Sequence, residues 1–221
     1  MVRIFFPNQI FIKSKLVYFF CMLNFDEGKT ATLFARDVIE SHLLKTKQNN
    51  PTLSIVFQEK RGVFVTIHSY PDHELRGCIG IPYPVMSLKS AIIEAASSVI
   101  RDPRFLPLTE KELNHILVEI TILTKPQPLK VKKPELYPQH LNIGKDGLII
   151  NHRGRSGLLL PQVPVEQGWD AEDFLTHICL KAGLPPDVWF EEDAEIQTFS
   201  GQIFTEISPN GPIEEKALDD L

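Results

Sequence analysis

Apolar residues recur three and four positions apart at Phe34, Ala35, Val38, Ile39 and Leu43, in a segment that starts near Ala31. That spacing lines one face of a helix and buries it against a core. Asn49-Asn50-Pro51 predicts its end. The period then changes. Residues 63–68 are rich in β-branched side chains and predict a strand, Ser69-Tyr70-Pro71-Asp72 predicts a turn, and residues 75–81 predict a second strand. Helical spacing returns at Leu88, Ala91, Ile92, Ala95, Ala96 and Val99, introduced by Pro84 and Ser87 and stopped by Asp102-Pro103.

Thr109 and Glu112 have the T-x-x-E spacing of a capping box and predict a short helix, followed by a strand over residues 117–124. Pro126, Pro128 and Pro134 punctuate residues 125–138, which read as a solvated connection between two lobes. Residues 147–152 and 157–160 predict a hairpin joined by Arg153-Gly154-Arg155-Ser156. Asp170 is the expected cap of a third helix, with Phe174, Leu175, Ile178, Cys179 and Ala182 on its apolar face and Gly183 and Pro185 as its stop. Strand-like residues over 195–207 complete an α+β fold, a mixed or antiparallel sheet packed with helices.

Composition narrows the function. A formal net charge of -5 opposes attraction to a phosphate backbone, so nucleic acid is an unlikely partner despite Lys125, Lys130, Lys132 and Lys133. Cys21, Cys78 and Cys179 are odd in number and form no C-x-x-C pair, which argues against a disulfide framework or zinc ribbon and for the cytoplasm. The apolar run over residues 16–23 is shorter than the roughly 20 residues of a membrane span. Asn24-Phe25-Asp26-Glu27 offers no cleavage site after it. Residues 1–21 are therefore expected to be a leader or start-site artefact, residues 22–208 the folded domain, and residues 209–221 an acidic, disordered tail without a membrane role.

Candidate chemistry converges on the second strand. Alternation along residues 75–81 sets Leu75, Gly77, Ile79 and Ile81 on one face and Arg76, Cys78 and Gly80 on the other. A simple hairpin register then pairs Thr66 with Cys78 and His68 with Arg76. A guanidinium or imidazolium beside a thiol stabilises the thiolate, which is the reactive form. Cys78, Arg76 and His68 are accordingly the candidate catalytic residues, with Arg76 as an anion clamp. Thr66, Gly77, Gly80 and Glu119 are candidate ligand contacts, and glycine within a strand suits a bulge or a close approach. The same cysteine also suits a small apolar filler in a core. Arg76 has Glu74 and Glu119 as alternative partners.

Leu75-Arg76-Gly77-Cys78-Ile79-Gly80 resembles the signature of the AMMECR family, named for the chromosomal region of a syndrome with Alport nephropathy, midface hypoplasia and elliptocytosis. The likeness extends through Asp102-Pro103-Arg104-Phe105, residues 118–124, Asp146-Gly147-Leu148 and residues 157–163. It implies an α+β fold with a larger and a smaller lobe around a cleft, to which Arg104 is a further candidate contact. The resemblance also implies association with a radical S-adenosylmethionine enzyme and a Memo-type protein in a modification pathway. The small-molecule or peptide ligand is unassigned, and a noncatalytic protein-interaction module is the alternative.

Other motifs are weaker. Asn151-His152-Arg153-Gly154-Arg155-Ser156-Gly157 has backbone amides and two arginines for an anion but no P-loop spacing. His42, His73, His115 and His140 are scattered, and H-E-x-x-H and G-x-S-x-G do not occur. Neither a metal site nor a cofactor is expected.

Overall fold

The computed structural model describes residues 22–49 and 51–216. The expected leader and the last five residues of the expected tail lie outside these. Helix α1, Phe25–Leu44, begins a turn and a half before its apolar stripe because Asn24 caps it. Asn24 Oδ1 accepts from the Glu27 amide at 3.0 Å, and Glu27 Oε2 accepts from the Asn24 amide at 3.1 Å. The hairpin strands β1, Val63–Ser69, and β2, Leu75–Ile81, follow, then α2, Leu88–Val99, and β3, Ile116–Leu123. The second half contains β4, Gln127–Pro128; β5, Gly147–His152; β6, Arg155–Leu159; α3, Gln162–Gln167; α4, Ala171–Lys181; and β7, Glu195–Phe199. Strands β8, Gly201–Glu206, and β9, Ile213–Lys216, return to the first half.

Two antiparallel sheets result, ordered β2-β1-β3-β8-β9 and β4-β7-β5-β6. Alternation along the central strands sends Val63, Val65, Ile67, Val118, Ile120 and Ile122 into a core shared with α1 and α2. The second sheet buries Leu148, Ile150 and Ile196 against Phe174, Leu175, Ile178 and Cys179 of α4. Leu123, Ile149 and Phe199 form a third, smaller cluster that joins the two, with Phe64, Tyr83, Leu158 and Leu160 against it.

The connection between the sheets is itself a paired ribbon. β3 pairs with β8 in the first sheet, and their continuations β4 and β7 pair in the second. At the crossing, the Thr124 amide donates to the Ser200 carbonyl and the Ser200 amide donates to Thr124 Oγ1, both at 2.8 Å. The proline-rich stretch is therefore more than a solvated connection. It contains β4 and a 3-10 segment, Pro134–His140. The expected tail also differs from 209 to 216. Ile213 buries its side chain and Lys216 reaches Glu119 at 2.8 Å, which draws this acidic stretch into the sheet as an edge strand.

Candidate functional site

Strand β2 is an edge strand, and Cys78 lies directly opposite Thr66 as the simple register requires. Thr66 Oγ1 donates to Cys78 Sγ at 3.3 Å. The backbone of Cys78 faces away from β1. Its amide donates to Asp102 Oδ2 at 2.8 Å, and its carbonyl accepts from Arg104 Nη2 at 3.0 Å. Asp102 and Arg104 therefore occupy the rung that a further strand would use. Their own bond, 2.7 Å between Arg104 Nη2 and Asp102 Oδ2, ties the two halves of the clamp together. The Asp102-Pro103-Arg104 turn after α2 makes this geometry, with Asp102 Oδ1 accepting from the Arg104 amide at 3.0 Å.

Charge follows from these bonds. The hydrogen bonds from Arg104 hold the Asp102 carboxyl well below the ordinary aspartate range, against the opposing effect of burial. Asp102 in turn holds Arg104 more firmly protonated, and Cys78 adds a smaller contribution in the same direction. The Arg104 side chain remains 55% exposed, so its charge is accessible from solvent.

The register changes beyond Cys78. A bulge between Ile67 and His68 sets His68 opposite Leu75, so the expected His68–Arg76 pairing does not form. Arg76 is the extra residue. It turns toward residues 107–112, where Nε donates to Glu112 Oε1 at 2.8 Å and Nη2 to the Pro107 carbonyl at 3.4 Å. Neither Glu74 nor Glu119 is its partner. Glu112 is fixed from its other side, since the Thr109 amide and hydroxyl both donate to Oε2 at 2.8 Å. The same bulge breaks the alternation that was to bury Leu75, which is 44% exposed.

Glu119 sits on the other side of Thr66 in the sheet, opposite it in the β1–β3 register. Burial opposes its charge, but His68 and Lys216 outweigh burial and keep the carboxyl below the usual glutamate range. Lys216 Nζ makes a hydrogen bond to Oε2 at 2.8 Å. His68 Nε2 is 3.6 Å from Oε1, an ion-pair distance too long for a hydrogen bond. Cys78, Thr66, Glu119 and Thr205 thus form one row across four strands. The glycines sit where the chain bulges or comes close, Gly77 beside the register shift and both against neighbouring atoms. A Cβ on Gly80 would stand 2.2 Å from the Phe64 ring, and one on Gly77 would stand 3.2 Å from Val99. The close approach is by the chain itself, through the Phe64 ring at Gly80 and through both the carbonyl oxygen and the side chain of Val99 at Gly77.

Phe64, two residues from Thr66 on β1, borders a cavity of about 400 Å³ whose walls include Tyr83, Ser156, Leu158, Leu160 and Val163. The cavity has both sheets in its walls. A separate cluster escaped the sequence: His152 at the end of β5 meets Glu191 and Asp193, about forty positions away. No short motif spans such a separation, and only the pairing of β5 with β7 brings them together.

Fold and site belong to a protein with relatives over most of its length. The chain is a member of the AMMECR1 family, whose model matches residues 32–204. It is 52% identical over 198 residues to Protein MJ0810 of Methanocaldococcus jannaschii, covering 89% of this chain and 98% of that protein. Protein MK0488 of Methanopyrus kandleri is 47% identical over 201 residues, covering 89% of this chain and 96% of its own. The crystal structure of uncharacterized protein PH0010 from Pyrococcus horikoshii superposes with a TM-score of 0.72 at 43% identity, over 88% of this chain and 98% of that one. Among the described residues, no helix is long and apolar enough to cross a membrane.

Proposed function

We propose that Cys78 is a reactive thiol that engages an anionic small molecule or peptide, with Arg104 in the clamping role expected of Arg76. The observation that supports this reading is the setting of the sulfur. Cys78 is partly exposed, its Sγ takes the Thr66 hydroxyl at 3.3 Å, and the accessible Arg104 guanidinium is tied to its own carbonyl. A hydroxyl donating to sulfur stabilises the negative charge that an attacking thiolate carries before the bond forms. A guanidinium beside it favours a substrate with a carboxylate or phosphate. His68, on the same face of β1 as Thr66, is the candidate group for proton transfer, and Thr66 positions the sulfur. Such a component, in the cytoplasm, suits the modification pathway with a radical S-adenosylmethionine enzyme and a Memo-type protein that the family resemblance implies.

Paired alkylating reagents of different charge test the proposal. In a Cys21→Ser background, native protein is treated with iodoacetate or iodoacetamide and the modified cysteine is located by mass spectrometry. Cys78 is expected to react, and buried Cys179 to stay protected. The ratio of the anionic to the neutral rate should fall about threefold or more in Arg104→Gln, on the order of 1 kcal/mol for a half-exposed charge. It should be retained in Arg104→Lys. A native Cys78 inert to both reagents overturns the proposal.

A second reading, a noncatalytic docking module, is favoured by the exposure of Leu75 and Leu106, which flank the Arg76–Pro107 contact. A Cys78→Ser protein that retains every partner interaction and every activity supports that reading instead.

A further inference from the structure

The geometry points to a second site, independent of Cys78, at which His152, Glu191 and Asp193 bind a first-row divalent cation of the zinc type. His152 is the fixed member. It ends β5, and its side chain is only 4% exposed, with Nε2 turned outward. Facing Nε2 are Asp193 Oδ1 at 3.1 Å and Glu191 Oε2 at 3.2 Å, from the loop that leads into β7. All three donor atoms lie within 4.8 Å of one another.

These spacings fit a metal. A tetrahedral zinc ion with bonds of ~2.0–2.1 Å sets its ligand atoms roughly 3.3 Å apart. Two of the three edges already stand at 3.1 and 3.2 Å. The third closes by rotation of Glu191 and Asp193, whose side chains are 42% and 54% exposed. One imidazole and two carboxylates form a donor set that suits Zn²⁺ and its neighbours better than Mg²⁺ or Ca²⁺, which take all-oxygen shells. Open positions on the ion would face a cavity of about 320 Å³ lined by Asn151, Arg155 and Ser156, with room for water.

In this structure the Arg153 guanidinium holds the two carboxylates, with Nε 3.1 Å from Asp193 and Nη2 3.2 Å from Glu191. One guanidinium stands against two carboxylates, which leaves the group with negative charge for a divalent ion. Arg153 sits in an exposed turn, its side chain 69% exposed, and is free to swing into solvent when a cation takes its place. Arg153 and the metal therefore compete. His152 Nδ1 has no hydrogen-bond partner among the described residues. The missing acceptor behind the ligand lowers affinity by about 10- to 100-fold relative to a site that has one.

Competition gives the test an unusual sign. The full chain in a Cys21→Ser, Cys78→Ser background, which leaves buried Cys179 as its one thiol, is titrated with zinc chloride by calorimetry. Binding of one equivalent is expected. Glu191→Gln and Asp193→Asn, both at accessible side chains, should each weaken it at least tenfold, whereas Arg153→Gln should tighten it about threefold or more. Cobalt(II) in place of zinc should give the intense visible absorption of a four-coordinate ion, lost in the Asp193→Asn protein. Any other pattern overturns the site: no saturable binding in either the parent or Arg153→Gln, binding indifferent to the two carboxylates, or no gain on removing the guanidinium. Circular dichroism of each variant confirms that it is folded.

Discussion

Asp102 carries more of the candidate site than its single charge suggests. Its side chain is buried, yet it accepts from the Cys78 amide, from the Arg104 amide and from two nitrogens of the Arg104 side chain. Hydrogen bonds to a charged group contribute about 1.5–3 kcal/mol each, net of the water contacts they replace. Asp102→Asn is expected to lower stability by about 2–3 kcal/mol in urea unfolding. The pH dependence has a definite sign. Because the folded carboxyl is held below the unfolded value near 3.9, its contribution is complete at neutral pH and declines as pH falls from about 4 toward the folded value. The variant should show a shallower loss of stability below pH 4 than the parent. At this scale the sequence was informative about the Thr66–Cys78 pairing but misleading about the His68–Arg76 one. Parity holds only while strand pairing is regular, and one extra residue at the Ile67/His68 bulge was enough to redirect the arginine to Glu112.

Elements were legible where the apolar period was long. The α2 stripe from Leu88 to Val99 reproduces the helix, and the expected hairpin forms with a tighter turn than the four residues anticipated: Arg153-Gly154 alone, with positive φ values of 46° and 79°, so that β6 begins at Arg155. Among the elements that were not legible, α3 and β9 escaped for different reasons. Helix α3 is six residues with Pro164 among them, too short for a period to show. Strand β9 reads Ile-Glu-Glu-Lys, and its three charged residues are tolerated because an edge strand has only one neighbour. The contact of β6 with α4 gives a prediction at this scale. A Cβ on Gly157 would stand 2.8 Å from the Ala182 amide nitrogen and 3.0 Å from the Ile178 carbonyl oxygen, backbone atoms that cannot rotate aside. Gly157→Ala should therefore cost about 1–3 kcal/mol, read as a lower urea midpoint. A midpoint unchanged from the parent would mean that α4 can withdraw freely.

Across the whole molecule, two hydrophobic cores are held together by the seam of Leu123, Ile149 and Phe199 and by the Thr124–Ser200 crossing. Both tryptophans, Trp169 and Trp189, pack in the second core, so fluorescence follows that half while far-UV circular dichroism follows all of it. The parent is expected to lose both signals together, as a cooperative unit does. Phe199→Ala removes a fully buried ring and should cost about 3–5 kcal/mol. It should also separate the two transitions, fluorescence changing first; coincident curves in the variant would show that the ribbon alone couples the halves. The clamp at β2 has a consequence beyond this one chain. Sheet edges are where proteins recruit copies of themselves and polymerise. At the centre of this edge, the backbone groups that would template such growth are already bonded to Asp102 and Arg104, so the strand that exposes its thiol is closed to self-propagation there.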